Sequence, residues 1–181
     1  AAYGQLGKYY APKLKIKLSP KVISETFDCD LKTATLAKYT LRKFAVSDDP
    51  VITGWHVPYQ AVLAIPERER NAFKEEVVTI SRKTWIRCLD FKDRSFGVEH
   101  DFYLKQWCEE GARLPGRFEV ILVDEEQDMV PVNIKSIQRM HSEQIILTGD
   151  CKQELYGWRG EAGASKVLQF PTLPLTKSHR F

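Results

Sequence analysis

Four carboxylates lie within five consecutive residues at the end of an apolar run, in the stretch ILVDEEQDM (121–129). Asp124 and Glu125 open this acidic run, Glu126 follows, and Asp128 closes it. Because like charges this close repel, the run is either a solvated turn or a site where a cation offsets the charge. A carboxylate after a buried strand can hold magnesium, and its neighbour can activate an attacking water. The acidic run therefore raises the hypothesis of chemistry at a phosphate group.

A second group of chemically capable residues follows the next apolar run, in TGDCKQELYGWRGEAGASKV (148–167). Gln153 is an uncharged hydrogen-bonding residue, and Tyr156, Trp158 and Arg159 lie within four residues beside two glycines. Exposed aromatic residues interleaved with arginine suit stacking on unpaired bases, at about 1–3 kcal/mol per base. The same aromatic residues would also suit the core of the next helix, and composition alone leaves both interpretations open.

Two short apolar segments predict the strands that position these groups. FEVILVD (118–124) and QIILTGD (144–150) are continuous apolar runs, as expected for strands buried on both faces of a parallel sheet. PVNIKSIQRMH (131–141) begins with proline and has helical spacing. Strand, helix and strand within about thirty residues form a βαβ unit with a right-handed crossover. Since ligands bind at the carboxyl ends of such strands, the acidic run and Asp150 are predicted to share one edge.

The part of the chain before this unit, residues 1–112, is predicted to be mostly helical. One helix covers 30–46 with Asp30 as its N-cap, a longer one opens at Pro66 and runs to position 89, and a third covers 100–110, ended by Gly111 and Pro115. The apolar residues expected to face the core are Ala34, Ala37, Leu41, Phe44 and Ala45 in the first helix and Phe73, Val77, Ile80 and Trp85 in the second.

Composition is that of an ordinary globular protein with room for one domain or two small ones in 181 residues. No apolar run approaches the length of a membrane span. Residues 1–47 carry nine Lys or Arg against three Asp or Glu, which favours a polyanionic partner or a solvated basic face. Without CxxC spacing, reduced structural thiols in a cytosolic or nuclear protein are expected for the four cysteines. They are Cys29, Cys88, Cys108 and Cys151.

Three stretches together resemble motifs II, III and IV of the UvrD/Rep/PcrA-like superfamily 1 helicases. VDEEQD (123–128), GDCKQELYGWRG (149–160) and LTKSHRF (175–181) follow the family pattern in order and spacing. AYGQLGKYY, SDDPVITGWHVP and HDFYLKQW resemble, more loosely, the F-box DNA helicase branch and its bacterial relatives. Together the resemblance spans nearly the whole chain, and it implies an ATP-dependent DNA helicase or translocase.

The resemblance also implies roles at the nucleotide. Asp124 would coordinate the magnesium of Mg-ATP, and Glu125 would be the general base for hydrolysis. Gln153 would sense the γ-phosphate, and Arg180 would stabilise charge on the transferring phosphate. His179 matches an aromatic position that packs near adenine, although a plain surface histidine is the alternative.

For DNA, the resemblance assigns Tyr156, Trp158 and Arg159 to the single-stranded path, with Trp158 as the main stacking residue. The sequence departs from the family pattern at two positions, because Glu126 and Glu161 stand where alanine is usual. The extra charge of Glu126 leaves the metal role in place but makes the local geometry an open question.

A phosphate loop of the GxxxxGK[ST] type is absent from this sequence. In GQLGKYY, Tyr9 replaces the Ser or Thr that binds magnesium, and no strand precedes it. In GEAGASK (160–166) the lysine is displaced from the glycine. We therefore expect an internal fragment that begins past the ATP-binding loop and stops short of a second RecA-like domain, and that is inactive by itself.

The expected fold class is α/β, an incomplete RecA-like P-loop NTPase domain (1A) with a mostly α-helical inserted domain (1B). Residues 1–112 would hold the end of the motif Ia region and domain 1B. Residues 113–181 would form the C-terminal part of domain 1A with motifs II to IV.

The expected parent is a DNA helicase with 3′-to-5′ polarity that hydrolyses ATP with Mg²⁺, is stimulated by single-stranded DNA and acts in repair or recombination. It would work in the bacterial cytoplasm at the nucleoid, or in the nucleus of a eukaryote. One alternative is a non-catalytic DNA-binding or scaffolding relative that has lost the phosphate loop. Another is one module of a nuclease-linked helicase.

Overall fold

The computed structural model describes residues 2–111, 116–150 and 164–177. These ranges form a mixed architecture of helices and a small two-stranded parallel sheet. The helices are α1 (Lys8–Leu14), α2 (Pro20–Phe27), α3 (Leu31–Val46), α4 (Tyr59–Leu63), α5 (Arg70–Leu89), α6 (His100–Glu109), α7 (Pro131–Gln138) and α8 (Ala164–Leu168). The strands are β1 (Val120–Val123) and β2 (Gln144–Leu147). Short helical turns cover Tyr3–Gly7, Gly54–His56, Glu67–Glu69 and Glu126–Asp128.

Helix α3 confirms the first helix that the sequence predicts. The Asp30 carboxylate accepts hydrogen bonds from the backbone N–H groups of Lys32 and Thr33 at 2.8 and 3.0 Å, which satisfies two donors of the first turn. All five residues of its predicted apolar face are buried. Since α3 contacts α2, α5 and α6, it is the central element of the helical part of the chain.

Helix α5 begins later than expected, because the turn Glu67–Glu69 separates Pro66 from Arg70. Of its predicted apolar face, Val77 and Ile80 are buried, while the aromatic residues Phe73 and Trp85 are half-buried against the same core. Helix α6 ends as predicted before Gly111, whose φ of +83° is a conformation that glycine adopts without a steric penalty. Pro115 lies outside the described residues.

The βαβ unit is present. Strands β1 and β2 pair in parallel, with Val120 opposite Gln144 and Val123 opposite Leu147, and α7 connects them. Both strands are shorter than the apolar runs suggested, because pairing ends at Val123 and Leu147.

The prediction that both strands are buried on both faces is wrong for this sheet. Leu122 is 72% exposed, and Val120 and Ile146 on the same face are 44% and 37% exposed. Among the described residues only the opposite face is covered, where α7 and α8 pack against it. That face contributes Val123, Ile145 and Leu147 to a cluster with Met129, Ile134, Ile137 and Ala164.

Helix α7 also joins the sheet to the helical part of the chain. It contacts α3 and α6, and a small apolar cluster lies between them. Two polar contacts reinforce this cluster, from Lys135 Nζ to the carbonyl of Asp48 at 2.6 Å and from Arg139 Nη1 to the carbonyl of Cys108 at 3.3 Å. The cluster consists of Val46, Trp107, Cys108, Val130 and Val132.

The cysteines in the described ranges are free thiols, in agreement with a structural role. Cys88 is fully buried, and this burial raises the pKa of its thiol to about 12, so it stays protonated at neutral pH. Cys151 lies outside the described residues. No helix in the described part of the chain is long and apolar enough to cross a membrane.

Candidate functional site

The parallel register brings the ends of β1 and β2 together at one edge of the sheet. Asp124 directly follows β1, and Thr148 directly follows β2. The Thr148 hydroxyl donates to Asp124 Oδ1 at 2.7 Å, and the backbone N–H of Glu126 donates to the Thr148 carbonyl at 3.0 Å. The acidic run and the segment after β2 therefore share one edge of the sheet.

The backbone at Glu125 divides the acidic run into an exposed and a buried pair. Glu125 has φ 53° and ψ 46°, in the left-handed region that residues other than glycine seldom occupy. Its N–H donates to Asp124 Oδ1 at 3.0 Å, which stabilises this sharp turn. Beyond the turn Glu126 and Gln127 point into the protein and are only 5% and 3% exposed. Asp124 and Glu125 are left facing solvent.

Gln127 connects the two strand-end segments. Its amide nitrogen donates to Glu125 Oε2 at 2.6 Å, and its amide oxygen accepts from the backbone N–H of Asp150 at 3.1 Å. Gly149 allows this approach, since a Cβ at that position would lie 2.4 Å from Gln127 Oε1 and 2.8 Å from the Cγ of Glu126. The Glu125 carboxylate is thus oriented by a buried side chain rather than left mobile in solvent.

Sequence reasoning missed two residues of this arrangement, Gln127 and Thr148. Both carried a signal. Gln127 is the uncharged residue within the acidic run, and Thr148 is the first polar residue after β2. Neither signal shows which partner the side chain contacts, because that depends on the pairing of the strands.

The arrangement fits a magnesium ion bound together with a phosphate ligand. No group of three or more His, Cys, Asp or Glu in the described ranges has the arrangement of a metal site. Such a group is not required, because Mg²⁺ is usually held by one or two carboxylates together with waters and substrate phosphates. Asp124 offers an exposed carboxylate in an orientation fixed by Thr148 and by the Glu125 N–H. It is the residue that would hold the ion.

Six other predicted site residues lie outside the described part of the chain and stay predictions. They are Gln153, Tyr156, Trp158, Arg159, His179 and Arg180.

The excess of basic residues near the N-terminus is only partly available to a partner. Lys13 is fully buried, and its ammonium donates to the carbonyls of Arg87 and Asp90 at 2.8 and 2.7 Å, where it caps the end of α5. Burial lowers the pKa of Lys13. Arg42 forms a bidentate pair with Glu99, with contacts of 2.8 and 2.7 Å. Several of these charges therefore have a structural role.

A cavity of about 680 Å³ lies at the opposite, amino-terminal edge of the sheet. Its walls come from the segments 116–121 and 139–143. It includes none of the predicted site residues.

Comparison with known proteins relates the chain to DNA helicases. The family described as the UvrD/REP helicase N-terminal domain matches residues 17–172. The chain is 30% identical over 200 residues to F-box DNA helicase 1 of Gallus gallus, covering 99% of this chain and 19% of the relative. It is 27% identical over 175 residues to F-box DNA helicase protein 1 of Schizosaccharomyces pombe, covering 94% of this chain and 19% of the relative. No solved structure gives a significant match.

Proposed function

The chain belongs to the UvrD/REP helicase N-terminal domain family, and on that premise we propose that it is part of an ATP-dependent DNA helicase. The proposed parent hydrolyses ATP when single-stranded DNA is bound and moves 3′-to-5′ along it, in DNA repair or recombination. The chain would supply motifs II to IV of a RecA-like domain 1A, and residues 1–112 would hold the inserted domain 1B. The parent would act in the nucleus, or at the nucleoid of a bacterium.

One observation carries the proposal for hydrolysis. Asp124 and Glu125 face solvent at the carboxyl edge of the sheet, and buried or neighbouring groups hold both carboxylates in place. In open α/β folds this edge is where phosphate ligands bind. An acidic turn serving only solubility would not need a left-handed residue and a buried glutamine to orient its carboxylates.

The proposed mechanism assigns separate tasks to the two exposed carboxylates. Asp124 would hold the magnesium ion, and the bound ion would offset negative charge on the phosphate oxygens. Glu125 accepts a proton from the attacking water, a role that requires the carboxylate to be held within hydrogen-bond reach. Gln127 maintains this orientation through its contact with Glu125 Oε2, and Thr148 does the same for Asp124.

The remaining predicted residues complete the proposed cycle. Gln153 and Arg180 would contact the γ-phosphate, and His179 would pack near the base of the nucleotide. Tyr156, Trp158 and Arg159 would line the path of the DNA, so that Gln153 connects the state of the nucleotide to the DNA contacts. These assignments are supported by the match to the family motifs in the sequence.

The test is single-stranded-DNA-stimulated ATP hydrolysis by the parent protein that carries this chain. Glu125→Gln is expected to lower turnover by at least about 100-fold, the low end for general-base catalysis, and to leave ATP and DNA binding near normal. Glu143→Gln is the matched control, because Glu143 is an exposed carboxylate beside the amino end of β2. Its turnover should equal that of the wild type.

Two results would contradict the proposal in different ways. Unchanged turnover in Glu125→Gln would remove Glu125 from the mechanism. Absence of ATP hydrolysis by a folded wild-type parent would favour the non-catalytic DNA-binding or scaffolding relative.

A further inference from the structure

The loop between α3 and α4 presents an unusually exposed tryptophan. We refer to Ser47–Val57 as the α3–α4 loop. Trp55 lies in its short helical turn, Gly54–His56, and is 87% exposed. Tryptophan is highly buried on average, so this exposure leaves a large aromatic face in contact with solvent.

The α3–α4 loop is rigid because basic side chains from several helices donate to its carbonyl groups. Lys105 of α6 donates to Ser47 and Asp49 at 2.8 and 2.6 Å, and Lys135 of α7 donates to Asp48 at 2.6 Å. Hydrogen bonds from charged donors are among the stronger ones in proteins. The first three carbonyls of the loop are therefore all fixed.

Two more basic residues fix the part of the loop that bears Trp55. The Arg82 guanidinium donates to the Ile52 carbonyl at 3.1 and 2.6 Å, and Lys43 Nζ donates to the Trp55 carbonyl at 2.8 Å. These contacts hold the backbone just before the turn and at Trp55 itself. Trp55 is therefore presented by a preorganised backbone, which reduces the entropy cost of binding.

A buried histidine, His56, is the last residue of the turn and contacts Thr53 and Asp49. His56 is 2% exposed, and its Nδ1 accepts from the backbone N–H of Thr53 at 3.1 Å. Its Nε2 lies 3.0 Å from Asp49 Oδ2. The adjacent residue Trp55 is, by contrast, exposed to solvent.

Three basic side chains lie against the segment that bears Trp55. Lys43 and Arg82 contact the loop as described, and the aliphatic part of Lys74 lies against Gly54, where a Cβ would be 3.4 Å from Lys74 Cδ. These contacts reach Ile52, Gly54 and Trp55, within the four residues 52–55. The carboxylates of the loop precede this segment, and that of Asp49 is engaged with His56.

We propose that the α3–α4 loop is a second contact for single-stranded DNA, in which an unpaired base stacks on Trp55 and the neighbouring phosphates lie near Lys43, Lys74 and Arg82. This inference rests on the proposed function, because it requires a DNA substrate. It differs from the predicted path along Tyr156, Trp158 and Arg159, since the loop belongs to the helical part of the chain. An exposed aromatic ring among cations is the arrangement that binds single strands without sequence preference.

The test measures binding of a fluorescently labelled oligothymidylate to the parent protein by fluorescence anisotropy. Trp55→Ala should weaken binding by about 5- to 150-fold, which corresponds to about 1–3 kcal/mol per stacked base. Trp55→Phe should retain most of the affinity, since it keeps an aromatic face. Val51→Ala is the matched control, because Val51 is 56% exposed on the same loop, and it should bind like the wild type.

Two further readouts separate stacking from a general loss of structure. Melting temperatures of Trp55→Ala and wild type should agree, because an exposed side chain contributes little to folding. Lys74→Gln should reduce the slope of log affinity against log salt by about 0.7, the value for one phosphate contact on a single strand.

Unchanged oligothymidylate affinity in Trp55→Ala would overturn the inference. If Trp158→Ala weakens binding in the same experiment, the proposed DNA function stands while the inference about Trp55 fails. If the folded wild type binds no oligothymidylate, the proposed function and the inference both fail.

Discussion

The α3–α4 loop and the acidic turn at Asp124–Asp128 are held in place by different kinds of groups: cationic side chains in the loop and uncharged groups in the acidic turn. In the loop, five backbone carbonyls accept hydrogen bonds from four lysine or arginine side chains. In the acidic turn, uncharged groups orient the two exposed carboxylates. Among the described residues, no lysine or arginine forms an ion pair with Asp124 or Glu125.

This difference indicates two kinds of binding surface. The side chains of Lys43, Arg82, Lys105 and Lys135 hold the loop backbone in place. The loop therefore presents Trp55 on a fixed backbone beside basic residues. At the acidic turn the carboxylates are held in place, and no ion pair with a described lysine or arginine offsets their charge. A site in that state favours a cation that arrives with its ligand, which agrees with the proposed role of Asp124.

The largest effect on stability is expected from removing a cation that holds the loop. Lys105 is fully buried and serves the carbonyls of Ser47 and Asp49. Lys105→Met should lower the free energy of unfolding by about 2–4 kcal/mol, because each acceptor left unpaired costs about 1–3 kcal/mol. Urea unfolding monitored by circular dichroism measures this. Lys83→Met is the control at an exposed position of α5, and equal losses in both variants would contradict a special role for the loop contacts.

A smaller effect on stability is expected at the acidic turn. There the segment after β2 packs closely against the acidic run at Gly149. Gly149→Ala places a methyl group against Gln127 and Glu126 and should destabilise by about 1–3 kcal/mol, as overpacking does. Gly4→Ala is the control, since a Cβ there meets nothing within 4 Å. Because the added methyl displaces Gln127, turnover by the parent should fall as well. Full turnover in a stable variant would show that Gln127 does not position Glu125.

The two proposed stacking residues can be compared by binding. Trp158→Ala should weaken single-strand binding by about 1–3 kcal/mol if Trp158 stacks on a base. Cys151→Ser, close by in the sequence, should do little. Similar losses in both variants would indicate that Trp158 is a core residue, and Trp55 would then be the better candidate for stacking.

The smallest effect concerns the pH dependence of the loop. Burial lowers the pKa of His56 below its usual value of 6.5, with Asp49 acting in the opposite direction. The unfolded chain then binds the proton more readily, so stability is complete above about pH 6.5 and falls as the pH drops through that value. Melting temperatures between pH 7.5 and 5.5 should decrease slightly more for the wild type than for His56→Gln. Parallel curves would remove His56 from the pH dependence.

Much of the framework followed from local patterns. Asp30 as an N-cap, the buried face of α3 and the strand, helix and strand order each depend on residues close together in sequence. Acidic residues at a strand end also predicted the edge where Asp124 and Thr148 meet. The exposure of the sheet face that bears Leu122 was not predictable, because an apolar run does not indicate which neighbouring elements cover it.

By itself, the sequence determined the helicase family, the order of the elements and the residues of the acidic run. Only the tertiary structure decided that Lys13 and Lys105 are buried, that Gln127 orients Glu125, and how the α3–α4 loop is held. The reason is distance along the chain. Lys105 reaches Ser47 across 58 residues, and Lys135 reaches Asp48 across 87. Periodicity and motif spacing describe contacts within a few residues, whereas such long-range contacts form only when the helices pack.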